Sequence, residues 1–257
     1  MRELGRGLGG RYGNYPAPIP LGLQLTPRVL ARVNELNKGA GGRVVDVLDH
    51  VQYDSLRFAA AQATSTAIIR LFQIPLGAQT NVANLATESY LKSELDTNQE
   101  SAGNLPAGQE MFVNSIQVFV NVPGQTDTTY PTSGPGTELP TSTVAAAGVA
   151  GVNLLKAIMT QCTITFKVGE KRYENGPIFM FPCQYGISGF AGAGVPATNN
   201  ESVSNNGFGL PRILFEPRHI PSLVNFSIDL KFVQALTVTR QFTLTTLLHG
   251  VLIRPVQ

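Results

Sequence analysis

Five apolar residues at every second position, Val224, Phe226, Ile228, Leu230 and Phe232, alternate with Asn225, Ser227, Asp229 and Lys231. A side-chain period of two puts one set on each face of an extended chain, so this stretch is a half-buried β-strand and not a helix. The alternation recurs. Ile116, Val118, Val120 and Val122 interleave with Gln117, Phe119 and Asn121. Cys162, Ile164, Phe166 and Val168 interleave with Thr163, Thr165 and Lys167, and Val238, Phe242 and Leu244 with Thr239, Gln241, Thr243 and Thr245. One apolar face per strand is the pattern of antiparallel sheets packed on a core.

Weaker signals extend the set. Thr66 to Ile74 is β-branched and apolar, Pro177 to Cys183 is apolar on both faces, Ile213 to Phe215 is a short piece, and Val251 to Val256 closes the chain. Each is read as a strand. Residues 43 to 58 mix apolar and charged positions and read as one or two short strands.

Two helices interrupt the strands. Thr26 is a good N-cap, Pro27 suits the first helical position, and Val29, Leu30, Val33 and Leu36 share a face that Gly39 ends. A second helix, capped by Ser142 or Thr143, runs to about Met159 with Val144, Val152, Leu155 and Met159 on one side. A long loop rich in Pro, Gly and Thr precedes it, and a second long loop spans about Gln184 to Leu210.

About eight strands, few helices and long excursions make an all-β sandwich or barrel, and eight strands in two facing sheets is the count of a jelly roll. An immunoglobulin-like sandwich fits less well, because it needs only about 100 residues and shorter loops. Residues 1 to 24 show no periodicity and read as an N-terminal arm, flexible or draped on neighbours, with slight positive character from Arg2, Arg6 and Arg11. Residues 25 to 257 form the domain.

Composition then narrows function. Charged residues are 14% of the chain, against roughly 25% in an average soluble protein. Gly, Pro, Ser, Thr, Asn and Gln replace the missing charge, giving neutral surfaces suited to burial against partners. A net charge of +2 argues against a strong nucleic-acid binder. No run of about 18 apolar residues suggests a membrane helix, and the N-terminus lacks the apolar core of a secretory signal. The two cysteines, Cys162 and Cys183, read as reduced, buried thiols.

No chemistry stands out. His50, His219 and His249 have no partner at metal-ligand spacing, and the last two sit in turn-like settings. Ser188, in Gly186-Ile187-Ser188-Gly189, does not match a nucleophile elbow. Asp46, Asp49 and Asp54 near His50 could hold a cation, but read as a solvated face. The glycine-rich stretches do not match a phosphate loop. The chain reads as a non-enzyme that needs no cofactor and no metal.

The order of features resembles the jelly-roll major capsid proteins of tailless, membrane-containing icosahedral bacteriophages. The likeness rests on Asp96-Thr97-Asn98 followed by Gly103-Asn104-Leu105-Pro106 and the strand from Met111. It rests also on the Pro177 to Cys183 stretch with its Gly-rich loop and on the terminal Gly250 to Gln257. The resemblance implies a structural virion protein that self-assembles in the host cytoplasm into the icosahedral shell of the virion. Its partners would be copies of itself in trimers or pseudo-hexameric capsomers, other virion proteins and an internal lipid membrane, with no sequence-specific binding of nucleic acid. A single eight-stranded jelly roll with long loops and one or two helices is favoured, with a compact double jelly roll as the alternative.

Under this reading Arg2, Arg6 and Arg11 of the arm and the uncharged Asn98, Gln99 and Asn104 are interface residues. The competing reading is a carbohydrate- or surface-binding β module, such as a viral fibre or receptor-binding head, with Asn199, Asn200, Asn205 and Asn206 as amide contacts. A β-fold enzyme with dispersed residues is the third.

Overall fold

The computed structural model describes residues 26–38, 45–59, 62–64, 66–80, 89–122, 150–183, 188–194, 198–205, 211–238 and 241–256. The arm residues Arg2, Arg6 and Arg11, and the proposed caps Ser142 and Thr143, lie outside them.

Two antiparallel sheets face each other. The larger contains β1 (Val45–Phe58), β12 (Phe242–Pro255), β4 (Glu110–Val122), β9 (Ile213–Ile220) and the hairpin β7 (Ser188–Gly194) and β8 (Thr198–Ser204). Its order is β1-β12-β4, with both β9 and β8 on the far edge of β4. The smaller runs β3 (Ile69–Leu71), β10 (Phe226–Phe232), β5 (Cys162–Val168) and β6 (Lys171–Pro177). The two-residue pieces β2 (Gln62–Ala63) and β11 (Thr237–Val238) pair separately.

Set aside those short pieces and the β7–β8 hairpin, and eight strands remain. In chain order the first pairs with the eighth (β1, β12), the second with the seventh (β3, β10), the third with the sixth (β4, β9) and the fourth with the fifth (β5, β6). These eight described strands thus follow the course of one long antiparallel ribbon folded at its middle and laid into two layers.

The core lies between the layers. Leu56 and Phe58 of β1, Ile116, Val118 and Val120 of β4, and Leu244 and Leu248 of β12 meet Ile164 and Phe166 of β5 and Ile228 and Leu230 of β10. Phe58 stacks on Phe242, with ring centroids 4.4 Å apart, and meets Phe232 edge-on. Helix α2 (Ala150–Gln161) adds Leu154, Leu155 and Ile158 to this core. Helix α1 (Pro27–Lys38) packs elsewhere. Its Val29 and Val33 cover Phe112, Val251, Ile253 and Val45 on the outer face of the larger sheet. Period two explains that second cluster, because Met111 and Val113 point inward and Phe112 between them points out.

Several expectations need correction. Residues 45–58 form one long strand. The Thr66 to Ile74 stretch yields only Ile69–Leu71, because Phe72 turns into the left-handed region at φ 66° and its N–H donates to the Asp54 carboxylate at 2.6 Å. Pro177 to Cys183 is not a strand. Pro177 ends β6, and Ile178–Met180 make a 3-10 turn that drives Ile178 and Phe181 into the core and leaves Phe179 outside. An apolar run read as a strand therefore turns two side chains into the core beside β4, where the Phe181 carbonyl accepts from the Val118 N–H. The Gln184 to Leu210 excursion holds the β7–β8 hairpin, the Ile213 piece extends to Ile220, and α2 runs two residues past Met159.

Candidate assembly surfaces

β1 is an edge strand, and long bare edges invite uncontrolled pairing. Its free edge from Val51 to Ser55 is occupied by the chain from Ser93 to Gln99. The Ser55 N–H donates to the Asp96 carbonyl at 2.8 Å and the Thr97 hydroxyl to the Tyr53 carbonyl at 3.1 Å. The Asn98 side chain accepts from the Tyr53 N–H at 2.9 Å and donates to the Val51 carbonyl at 2.7 Å. Gln52 donates to Gln99 at 2.7 Å, and Gln99 donates in turn to the carbonyls of Ser101 and Asn104.

Buried ion pairs lock this segment down. Lys92 donates to Asp54, and Arg57 pairs with Asp96 at 2.7 Å while its guanidinium lies 4.1 Å from the Tyr90 ring centroid. All four charged side chains are buried. Burial pushes the Asp54 carboxyl up, while Lys92, the Phe72 N–H and Thr97 pull it down. Burying charges is costly even when they are paired.

The sequence Leu91-Lys92-Ser93-Glu94-Leu95-Asp96 is consequently inside out. Lys92 is 2% exposed and Asp96 3%, whereas Leu91 is 67% exposed and Leu95 60%. Leu76 is exposed on the neighbouring piece of chain, whose Gly77 N–H donates to the Lys92 carbonyl. Buried charge beneath exposed leucine is the reverse of ordinary partitioning.

The opposite edge of the sheet carries a second apolar feature. The β4–β9 register jumps from Val113↔Arg218 to Ser115↔Ile213, so Asn114 alone faces residues Leu214 to Pro217. This wide bulge thrusts Phe215 fully into solvent, with Ile213 also exposed. Its base is fixed. Arg218 donates twice to Glu174 of β6, at 3.1 and 2.9 Å, tying the two sheets together, and Arg28 of α1 pairs with Glu216 at 3.0 Å.

A third ionic group holds α1 on the sheet. Arg32 donates to both carboxylate oxygens of Glu110, at 2.9 and 2.6 Å, and His219 Nε2 lies 2.9 Å from the same carboxylate. The His219 ring stacks on Phe112 at 4.5 Å. Burial alone would raise the Glu110 carboxyl, but the bonds from Arg32 and His219 outweigh it and hold the group below its ordinary value.

The expected site residues separate accordingly. Gln99 is buried, and its amide bonds to Gln52 and to the carbonyls of Ser101 and Asn104 within the chain. Asn98 is half-buried with both amide ends bonded to β1. Asn104 is half-buried and its carbonyl accepts from Gln99. Asn205, an amide contact in the glycan-binding reading, is buried, with its side chain bonded to β4.

The suspected acidic group also comes apart. Asp54 is no solvated residue, Asp46 lies 3.6 Å from Arg254, and Asp49 2.9 Å from His249. His219 and His249 stand on β9 and β12, not in turns. Among the described residues no three metal-ligating side chains converge. A polar pocket of about 410 Å³ between Asp46, Glu100, Gln109 and Arg254 has no nucleophile beside a base.

No protein-family model matches the chain, and no curated protein matches it in sequence. The residues that dominate both surfaces, Leu91, Leu95 and Phe215, were not expected from the sequence. A signal was available in Leu91-Lys92 and Leu95-Asp96, leucines set beside charges in a stretch otherwise built of polar residues.

Proposed function

We propose that the chain is a structural virion protein, the major capsid protein that self-assembles into the icosahedral shell of a tailless, membrane-containing bacteriophage. The pairing of first strand with eighth, second with seventh, third with sixth and fourth with fifth supports a single eight-stranded jelly roll. A double form requires a second such set, and the described strands beyond the eight are one hairpin and two short pieces. On this reading β7–β8 and α2 are elaborations of the single roll.

A fold hosts many functions, so the assembly reading rests on surfaces. The observation that carries it is the inverted segment Leu91 to Asp96, where buried ion pairs hold exposed leucines on a rigid edge. Identical copies are the natural occupants, because a shell subunit must be covered on several sides by others of its kind. The low charge of the chain supports the same reading, since it limits repulsion between copies. The partners are then further copies in trimers or pseudo-hexameric capsomers, other virion proteins and an internal membrane, and no catalytic role is assigned.

Light scattering after size exclusion, with negative-stain microscopy of the same fractions, tests this. Discrete capsomers or closed shells that grow with concentration are expected. A monomer at every concentration and salt would sink the proposal.

A further inference from the structure

We infer that copies associate edge to edge through unlike surfaces, the β9 bulge of one copy seating on the Leu91–Leu95 segment of the next. The inference rests on the self-assembly reading and adds which surfaces meet and in what sense. The larger sheet places β1 at one edge, and beyond β12 and β4 its other edge carries β9 beside Met111 to Ser115 and the β8–β7 hairpin beside Asn121 and Val122. Each edge displays apolar side chains on a braced support. On β9 these are Ile213 and the fully exposed Phe215, and on the β1 side they are Leu91 and Leu95. Two different patches on opposite edges make a head-to-tail contact, which repeats from copy to copy and closes into a ring when the rotation allows.

Charge selects this pairing over like-with-like contact. The β1 side carries exposed Glu94 and Glu100, and neither has an ion-pair partner among the described residues. Around the bulge Arg28, Arg212 and Arg218 pair with Glu174 and Glu216, which leaves one positive charge in excess there. Two β1 edges together would oppose carboxylates, and two β9 edges would oppose their excess positive charge, whereas unlike edges bring the carboxylates to that excess. Strand addition at β9 is also blocked, because Pro217 has no N–H and the bulge breaks the ladder. The contact is a knob entering a patch, not an extension of the sheet.

Mixed cysteine trapping tests the sense of the contact. Phe215→Cys and Leu95→Cys are made separately in a Cys183→Ser background and treated with a short bismaleimide, alone and mixed. The mixture should give a cross-linked dimer containing one of each variant, and neither variant alone should cross-link. In parallel, Phe215→Asp should raise the concentration for half-assembly at least about tenfold, the effect of losing one aromatic anchor. Glu94→Arg should weaken assembly in low salt and lose that effect in high salt. Cross-linking of either variant with itself overturns the head-to-tail contact. Normal assembly by Phe215→Asp, together with no mixed cross-link, overturns the inference and leaves the shell reading standing. Failure of the wild-type chain to associate at all sinks both.

Discussion

Asn98 and Asn205 perform the same operation on two different strands. Each accepts one backbone N–H with its side-chain oxygen and donates its amide to the carbonyl two residues earlier, Tyr53 and Val51 for Asn98, Val120 and Val118 for Asn205. A neighbouring strand running parallel would offer the same donor and acceptor at those points. A single side chain thus satisfies an edge where the ladder stops. On β4 it shares with the Phe181 carbonyl, which accepts from the Val118 N–H, the gap between β9, which pairs up to Ser115, and β8, which pairs from Asn121.

The two sites differ in burial, and their costs should differ accordingly. Asn205→Ala leaves a buried N–H and a buried carbonyl without partners and should cost about 3 kcal/mol. Asn98 is half-buried, so water replaces its amide, and Asn98→Ala should cost about 1 kcal/mol. Urea unfolding of both variants checks the ranking. Equal losses would mean that the amide of Asn205 does not serve as a strand substitute.

The Lys92–Asp54 pair gives a pH-dependent prediction. Lys92→Met leaves the Asp54 carboxylate buried without its cation and should cost about 3–5 kcal/mol near neutral pH. Burial already pushes this carboxyl up, and removing Lys92 takes away a charge that pulls it down. A carboxyl whose folded pKa is raised contributes stability when protonated and loses it as pH rises through the folded value. The variant should therefore be closer to wild type at pH 5 than at pH 8. Denaturant unfolding at those two values reads the difference, and a constant gap would count against an uncompensated charge.

Glu110 has the opposite sign. Despite burial, Arg32 and His219 hold its carboxyl below the ordinary 4.5. Its contribution is present above that value and is lost as pH falls through the lower folded pKa. Glu110→Gln should cost about 1 kcal/mol at pH 6, a figure kept modest because Arg32 is partly exposed. The gap between variant and wild type should close toward pH 3. The change should appear first as faster hydrogen exchange in α1, which Glu110 helps to hold on the sheet.

The thiols should part in reactivity. Burial pushes the Cys162 thiol up to about 12, and the half-buried Cys183 thiol is also raised. Labelling of the native protein with a maleimide at pH 7.5 should modify Cys183 first and Cys162 only on unfolding. Equal rates would show that β5 opens far more readily than its packing implies.

What the sequence revealed depended on how local its cause was. The alternation from Val224 to Phe232 is legible because neighbouring side chains alone decide which face is apolar, and β10 follows it. Pro177 to Cys183 misleads because an apolar run without a period fits a strand or a turn with two buried side chains, and the deciding fact is the stretch of β4 at Val118 that it meets, about 60 residues away in the chain. The Leu91 to Asp96 segment is harder still. Local polarity sends leucine in and lysine out, and the reversal is imposed by Asp54 and Arg57, which lie 38 and 39 residues away. Gln99 and Asn98 were recognised as hydrogen-bonding groups, but their partners on β1 lie 47 and 45 residues away, and no spacing rule points to them.

Gly250 offers the sharpest test of the sheet itself. Here the register between β12 and β4 shifts, with Asn114 the extra residue between Ser115 and Val113. The bulge brings the two backbones so close that a Cβ on Gly250 would lie 1.9 Å from the Phe112 carbonyl oxygen and 2.9 Å from the Val113 Cα. These are backbone atoms, so no rotamer change relieves the clash, and β12 or β4 must move. Gly250→Ala should cost about 3 kcal/mol, at the upper end for overpacking. The movement would reach Phe112 and the cluster under α1, so the helix should loosen together with the strand. Gly250→Ala that unfolds at the wild-type urea midpoint would show that the β12–β4 approach is looser than this geometry.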